Sequence, residues 1–572
     1  MGIFPRISFI LWTVLFSMSS HAQWVDISDS IALPVEMNYG YYSPGVSAVD
    51  VDGDGWEDLT WGNDLHGIDL YLKSDSGFSA HPVDLGMQPG DCTVRSTVWA
   101  DMDDDGDQDL FLTCRVGQNR VFRNLGDLVM EDITDSCGIV LDDTRRSFGI
   151  SLADINRDGN LDLFICNYSI NDFYPNEFYL GDGAGHFAYT EWGLPQDYYR
   201  VSHQSHFLDL DGDDLLDLYI LNDRGTGNEC YRGTDTGFVE VSAEWGLEAQ
   251  LDAMGADWID EELDGKREVF MTGTDEAFFL KDTGDFQFAD VAPDYGLPTE
   301  ITTGWSVLGA DFDNDGWEDL YVTSADWVVY TYPIPSYYTV QPNQWYWNDH
   351  GNGWVDRSSE LPGLMSEIYV AAKADWNQDG VVDIAAVEVG PVALLMEGEP
   401  SEGHWLQVRP RGTQTNLDAI GTKVTAYTTD SSGTVIQRVR QSACGEGMLA
   451  QHSRWLHFGL GNTNTVDSLE IRWPLGAVDV LYDVPANQRL EVTEGAVAAD
   501  CSDIATYLPE ACGCPADFDA NGTVGVEDII HLLGAFGCIS GDCAADLDGD
   551  GITGTNDIVI LLAAFGNQCL ID

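Results

Sequence analysis

Through residue 400, apolar and aromatic side chains come in short runs rather than in helical stripes. Leu59-Thr60-Trp61, Leu110-Phe111-Leu112, Leu163-Phe164-Ile165, Leu218-Tyr219-Ile220, Val269-Phe270-Met271, Leu320-Tyr321-Val322 and Ile384-Ala385-Ala386 each follow an acidic stretch. Runs of this length and composition predict β-strands. A second signal recurs between them: an aromatic strand, a turn of Gly, Asn and Asp, and another aromatic strand, most plainly in 176–187 and 343–354. These are hairpin signals.

The acidic stretches share one design. Positions 1, 3, 5 and 9 are Asp50, Asp52, Asp54 and Asp58 in the first, Asp101, Asp103, Asp105 and Asp109 in the second, and Asp154, Asn156, Asp158 and Asp162 in the third. The fourth has Asp209, Asp211, Asp213 and Asp217, and the fifth has Asp260, Glu262, Asp264 and Glu268. Asp311, Asp313, Asp315 and Asp319 form the sixth, and Asp375, Asn377, Asp379 and Asp383 the seventh. Their starts lie 51, 53, 55, 51, 51 and 64 residues apart, a regular array. Oxygen ligands at this spacing, with a turn-permitting Gly at position 6, let a loop curl around one hard cation, since Ca²⁺ accepts six to eight oxygens at ~2.3–2.6 Å. The carboxylates cannot all ionise side by side without a cation between them, so metal is expected to be part of the fold. One such run reads equally well as an acidic turn; seven in register do not. Two exceptions stand out. Asp214 replaces the Gly of the fourth loop, and the fifth has longer acids and reads as carrying an insertion after Asp257, so site five is expected to be empty.

About four strands in a repeat of ~50 residues make a propeller blade, and seven make a ring. The seventh repeat passes from Leu394-Leu395-Met396 through Pro400 into unrelated sequence without its last strand, while Trp24-Val25-Asp26-Ile27 has the missing pattern. The N-terminal segment is therefore expected to complete the seventh blade and remove an exposed sheet edge. These motifs resemble the FG-GAP/VCBS repeats of integrin-α-like propellers, with Phe148-Gly149 as a partial signature, over about 24–400. The resemblance implies Ca²⁺ on the aspartates named above, up to seven ions in the propeller.

After Glu402 the repeat stops and Lys and Arg become commoner. Segments 404–408, 420–427, 435–439 and 468–473 read as antiparallel strands of a compact all-β domain, 402–495. Ile420-Gly421-Thr422-Lys423-Val424, 456–461 and Leu469 to Pro474 are similar to the UnbV/ASPIC module that follows such propellers in cartilage-acidic-protein-like chains. A linker, 496–511, leads to two near-copies in 512–572: Asp517, Asp519, Asn521 and Asp528, then Asp546, Asp548, Asp550 and Asp557, each followed by a short apolar helix. Acids at 1, 3, 5 and 12 with Gly at 6 form an EF-hand-type loop, predicting two further Ca²⁺. With Asp at 12 and no incoming helix, the tail resembles a type I dockerin. The cysteines around it, Val526-Glu527 and Thr555-Asn556 depart from that pattern, leaving cohesin binding and a structural or sorting role both open.

The expected fold is thus mainly β: a seven-bladed β-propeller (23–401), a small all-β domain and a small α-helical, dockerin-like tail. Charge narrows the function. Lys and Arg number 25 against 97 Asp and Glu, a net −72, which repels phosphate backbones and anionic lipid heads. A hydrophobic share of 44% with 18 Trp still supports folding. Arg6, the apolar run Ile7–Met18 and the small residues Ser20 and Ala22 form a signal-peptide pattern (1–22), too short to span a bilayer, so secretion is expected. The twelve cysteines then read as disulfide candidates, with Cys538–Cys543 the only pairing proposed.

No nucleophile and base, phosphate loop or open metal site presents itself. His203-Gln204-Ser205-His206 has zinc-like spacing, but on a strand residues i and i+3 point to opposite faces. Trp327, Tyr330, Tyr332, Tyr337 and Tyr338, broken by Pro333 and Pro335, either bind sugar rings or a partner, or cap the ring internally. The reading is a secreted, calcium-binding adhesion or recognition protein for an extracellular protein or polysaccharide, with a tail for docking or anchoring and a cohesin-like partner as one option. The alternative is a dockerin-bearing polysaccharide hydrolase or lyase.

Overall fold

The computed structural model describes residues 24–30, 44–168, 174–195, 200–284, 286–299, 303–325, 342–362, 364–388, 393–430 and 432–495. The leader, the aromatic insertion from Trp327 to Tyr338, and the tail with its two loops and six cysteines lie outside them.

The described chain is mainly β. Seven sheets follow one another, the first six each containing four consecutive antiparallel strands. The first strands are Val46–Val49, Cys92–Ala100, Ser147–Ala153, Ser202–Leu208, Ala253–Ile259, Gly304–Ala310 and Ile368–Ala374. The seventh sheet obtains only three strands from its own repeat, and Trp24–Asp26 supplies the fourth, pairing antiparallel with Ala393–Gly398 so that Trp24 faces Gly398. Each first strand packs against the first strand of the next sheet, and that of the seventh against that of the first. No sheet closes on itself; it is the sequence of neighbours that closes.

Local chemistry explains the spacing. The residue after position 9 of each loop (Leu59, Leu110, Leu163, Leu218, Val269, Leu320, Ile384) is buried between successive sheets. A Cβ on Gly149 would collide with the His203 carbonyl of the adjacent first strand, so the Gly of the Phe148-Gly149 pair is what lets these strands approach. His203 packs against both Phe148 and Tyr168, with ring centroids at 5.1 and 4.9 Å, while His206 faces a different environment; the pair does not act together as a zinc site.

Residues 404–495 add two sheets, one of Leu456–Gly461, His404–Arg411 and Gln488–Thr493, the other of Val435–Gln441, Lys423–Thr429, Thr465–Arg472 and Val478–Pro485. Ile420 and Gly421 fall in a turn before the strand predicted to include them, with Gly421 at φ +96°. The segment 442–455 enters the hub formed by the first strands. Ala450 and Gln451 pair in parallel with Val46 and Ser47. Gln451 accepts from the Trp99 amide at 2.8 Å and donates to the Trp99 carbonyl at 2.7 Å. The Leu152 amide donates to Cys444 O at 3.1 Å and the Ser453 amide to Lys373 O at 3.0 Å, and Gln204 donates to Glu446 O. This segment therefore touches the first, second, third, fourth and seventh sheets.

Two sequence expectations are corrected. Asp257 lies within the regular strand Ala253–Ile259, whose last residue directly precedes position 1 as in every other repeat, so the fifth repeat has no insertion there. Among the described cysteines only Cys92 and Cys114 are bridged; Cys137, Cys166, Cys230 and Cys444 are free and buried in apolar packing, where neighbouring strands leave no second sulfur.

Candidate functional site

All seven acidic loops join the first strand of a sheet to its second, so they emerge at one end of the array. Their backbones share one path. Position 4 has positive φ throughout (Gly53, Asp104, Arg157, Gly212, Leu263, Asn314 and Gln378), and so does position 6. Asp214 adopts this conformation in place of Gly at φ 64°, so the fourth loop keeps its shape.

Hydrogen bonds fix the side chains. In the second loop Asp101 accepts from the Asp105 and Gly106 amides at 3.1 and 2.9 Å, while Asp109 accepts from Met102 and Asn124 at 3.0 and 2.8 Å. The same pattern ties Asp154 to Asp158 and Gly159, and Asp162 to Ile155 and Gly181. Position 9 is thus locked between the start of its loop and the third strand of its sheet. Three carboxylates converge, with oxygens within 4.8 Å of one another, in Asp50/Asp52/Asp58, Asp101/Asp103/Asp109, Asp209/Asp211/Asp217 and Asp311/Asp313/Asp315. Asp103 Oδ1 and Asp319 Oδ2 are buried without a hydrogen-bond donor, and Asp209 Oδ2 and Asp315 Oδ2 have only Lys423 and His350, each at 3.5 Å. Acceptor-only oxygens clustered in this way suit a hard, oxygen-seeking divalent cation.

Electrostatics point the same way. Burial pushes Asp58, Asp109 and Asp217 up to about 8, and burial reinforced by Asp418 pushes Asp101 up to about 7. Burial, then Asp313 and Asp315, holds Asp311 well above the usual carboxylate range. In the third and seventh loops position 3 is Asn, whose amide donates to Asp158 at 2.9 Å and to Asp379 at 3.1 Å. In the fifth loop Asp260, Glu262 and Glu268 do not converge, and the Lys281 ammonium lies 2.8 Å from Glu262 and 3.8 Å from Glu268.

Residues 404–495 cover this loop-bearing end, an arrangement that no motif in the chain announces. Arg409 pairs with Asp50 at 3.2 Å, Lys423 with Asp209 at 3.5 Å, Arg440 with Glu318 at 3.2 Å, Arg472 with Asp214 at 3.4 Å and Arg489 with Glu57 at 3.1 Å. Arg438 donates to Gly316 O at 3.1 Å and Arg454 to Trp99 O at 2.7 Å. The rise in Lys and Arg after Glu402 is the surface complement of the acidic loops. Between the two lies a polar cavity of about 130 Å³ lined by His206, Asp257, Lys373, Glu446, His452 and Arg440 among others. Lys373 bridges Asp257 at 2.9 Å; burial holds His206 down to about 4 against the opposing pull of Asp257, and burial with the Lys373 ammonium holds His452 down to about 3. No spacing motif marks these residues, because they come from three first strands, the strand Val435–Gln441 and the inserted segment.

Comparison with known proteins agrees with this division. Residues 101–165 and 262–322 match the family described as FG-GAP-like repeat, and residues 412–499 match ASPIC and UnbV. Cartilage acidic protein 1 of Homo sapiens is 24% identical over 312 residues, 52% of this chain and 44% of that protein. Its Xenopus tropicalis counterpart is 25% identical over 276 residues, 46% of this chain and 40% of that protein. The matched stretch thus spans less than half the length of these relatives. Among solved structures, BBS1N in complex with ARL6DN superposes with a TM-score of 0.39 at 10% identity, over 67% of this chain and 98% of that one. The rhamnogalacturonan lyase YesW superposes with a TM-score of 0.37 at 16% identity, over 66% of this chain and 76% of that one.

Proposed function

We propose that this is a secreted, extracellular recognition or adhesion protein, built on a seven-bladed propeller that Ca²⁺ in the acidic loops holds rigid. The observation that carries the reading is the convergence of three carboxylates in each of four loops, with Asp103 Oδ1 and Asp319 Oδ2 buried in two of them and accepting no hydrogen bond. Ionised, these groups repel one another in a poorly solvated place; a divalent ion turns that repulsion into attachment. The FG-GAP-like and UnbV/ASPIC matches and the likeness to cartilage acidic protein 1 support an extracellular setting. No helix among the described residues is long and apolar enough to cross a membrane.

Residues 404–495 occupy the loop-bearing end, so the partner, an extracellular protein or polysaccharide, meets the opposite end. There the second strand of each sheet connects to the third, and in sequence the aromatic insertion falls between Asp319–Ser324 and Gln344–Asn348. The tail, with two further Ca²⁺ loops, serves docking or anchoring. Metal analysis of the purified protein, melting with and without EDTA, and a glycan and surface-protein array with and without chelator test the reading. Bound calcium, a large chelator-induced drop in melting temperature and chelator-sensitive retention are expected. Negligible metal with melting indifferent to EDTA refutes it, and turnover on a glycan panel favours the hydrolase or lyase alternative.

A further inference from the structure

We propose that the fifth loop is a metal-free replica of the other loops, closed by the Lys281 ammonium in place of a divalent ion. The inference rests on the calcium reading of the other loops and concerns how this one departs from it. Lys281 Nζ lies 2.8 Å from Glu261 Oε2, 2.8 Å from Glu262 Oε1 and 3.8 Å from Glu268 Oε1, so it touches the acids at positions 2, 3 and 9. An ammonium among those oxygens excludes a calcium ion by volume and by charge.

Comparison within the chain makes the substitution specific. Position 2 is apolar in six loops (Val51, Met102, Ile155, Leu210, Phe312 and Trp376) and acidic only in the fifth, where Glu261 is fully buried. A buried carboxylate in a position otherwise given to the core demands an internal partner. That partner arrives in register: Val269 faces Leu280 across the second and third strands, and Lys281 follows. The corresponding residues elsewhere are Leu72, Arg123, Leu180, Arg232, Trp347 and Glu397. Arg123 meets Asp103 alone, at 2.9 Å, and the carboxylates of its loop still converge. Only the fifth loop combines an acid at position 2, a lysine at this register and Glu rather than Asp at positions 3 and 9.

Two experiments on the full chain decide the matter. Amide exchange of the protein in EDTA is expected to loosen 52–57, 103–108 and 211–216 by tenfold or more, while 262–267 exchanges as slowly as with calcium. Loosening of 262–267 together with the others overturns the proposal, whereas no loosening anywhere refutes the calcium reading and removes its foundation. The double variant Glu261→Leu/Lys281→Leu removes the ammonium and its buried partner and is expected to bind one more calcium equivalent than the parent. An unchanged count in a folded variant overturns the proposal; if the variant does not fold, the exchange experiment on the parent decides alone.

Discussion

Trp24 is the only large side chain that the N-terminal strand buries, and its removal measures what the seam in the seventh sheet contributes. The indole is 1% exposed. It packs edge-on against Phe312 and Trp345, with centroids 5.1 Å away in each case, and donates to Val382 O at 3.1 Å. A Trp→Ala change in such a place costs about 3–5 kcal/mol, and a carbonyl left without its donor adds about 1 kcal/mol. Because Phe312 and Trp345 belong to the sixth sheet, the loss falls on the contact between sheets as well as on one strand. Trp24→Ala is therefore expected to lose about 4 kcal/mol in urea unfolding at fixed, saturating calcium. Trp24→Phe, which keeps the ring stacking but not the N–H, is expected to lose about half of that. Fluorescence and circular dichroism should give coincident transitions for a single free energy to apply. A loss below about 1 kcal/mol with an unchanged denaturant slope would show that the seam is dispensable and that the packing argument is wrong.

Three further expectations follow from the hub. Gln451→Ala leaves the buried amide of Trp99 unpaired and removes one of the donors to its carbonyl, Arg454 remaining, and should destabilise the sheets by about 1–3 kcal/mol, although the substitution lies outside them; an unchanged urea midpoint refutes the plug. His206 and His452 are held down to about 4 and 3, first by burial, against about 6.5 when unfolded. Below pH 6.5 the unfolded chain takes up protons that the hub refuses, so stability falls as pH falls, by about 2 kcal/mol per histidine at pH 5. His452→Gln should remove its share, and equal melting shifts between pH 7.5 and 5 in parent and variant contradict this. Cys137, Cys166, Cys230 and Cys444 should resist thiol reagents until unfolding, and peptide mapping that finds rapid native labelling contradicts their burial.

The repeat was legible because each copy carries its own local signal: four oxygen-bearing residues, a turn-permitting position and an apolar run, all within about a dozen residues. The fourth loop's shape was less plain, since Asp at position 6 reaches the same left-handed conformation as Gly at a modest conformational cost. The hub was not legible at all. Val46 and Ala450 meet across the whole length of the array, and neither has a neighbour pattern that names the other. Lys281 was missed for a related reason: its meaning depends on strand register, which places it over Glu261 and Glu262, and no spacing rule supplies that. Asp257 was misread because acid-rich sequence before the fifth loop looks like more loop, whereas it belongs to a strand and is neutralised by Lys373.

The seam between Trp24 and Gly398 also sets an order of events in biogenesis. The strand Trp24–Asp26 has no partner until nearly four hundred residues have followed it, and the segment that seals the hub arrives later still. Sheets between those points can form as they emerge, but final closure waits for contacts of very long sequence separation, which makes it slow. Until then the edge of Ala393–Gly398 stands open to strands of other molecules. The lone strand at the front of the chain is therefore as much a safeguard for the nascent protein as a brace for the mature one.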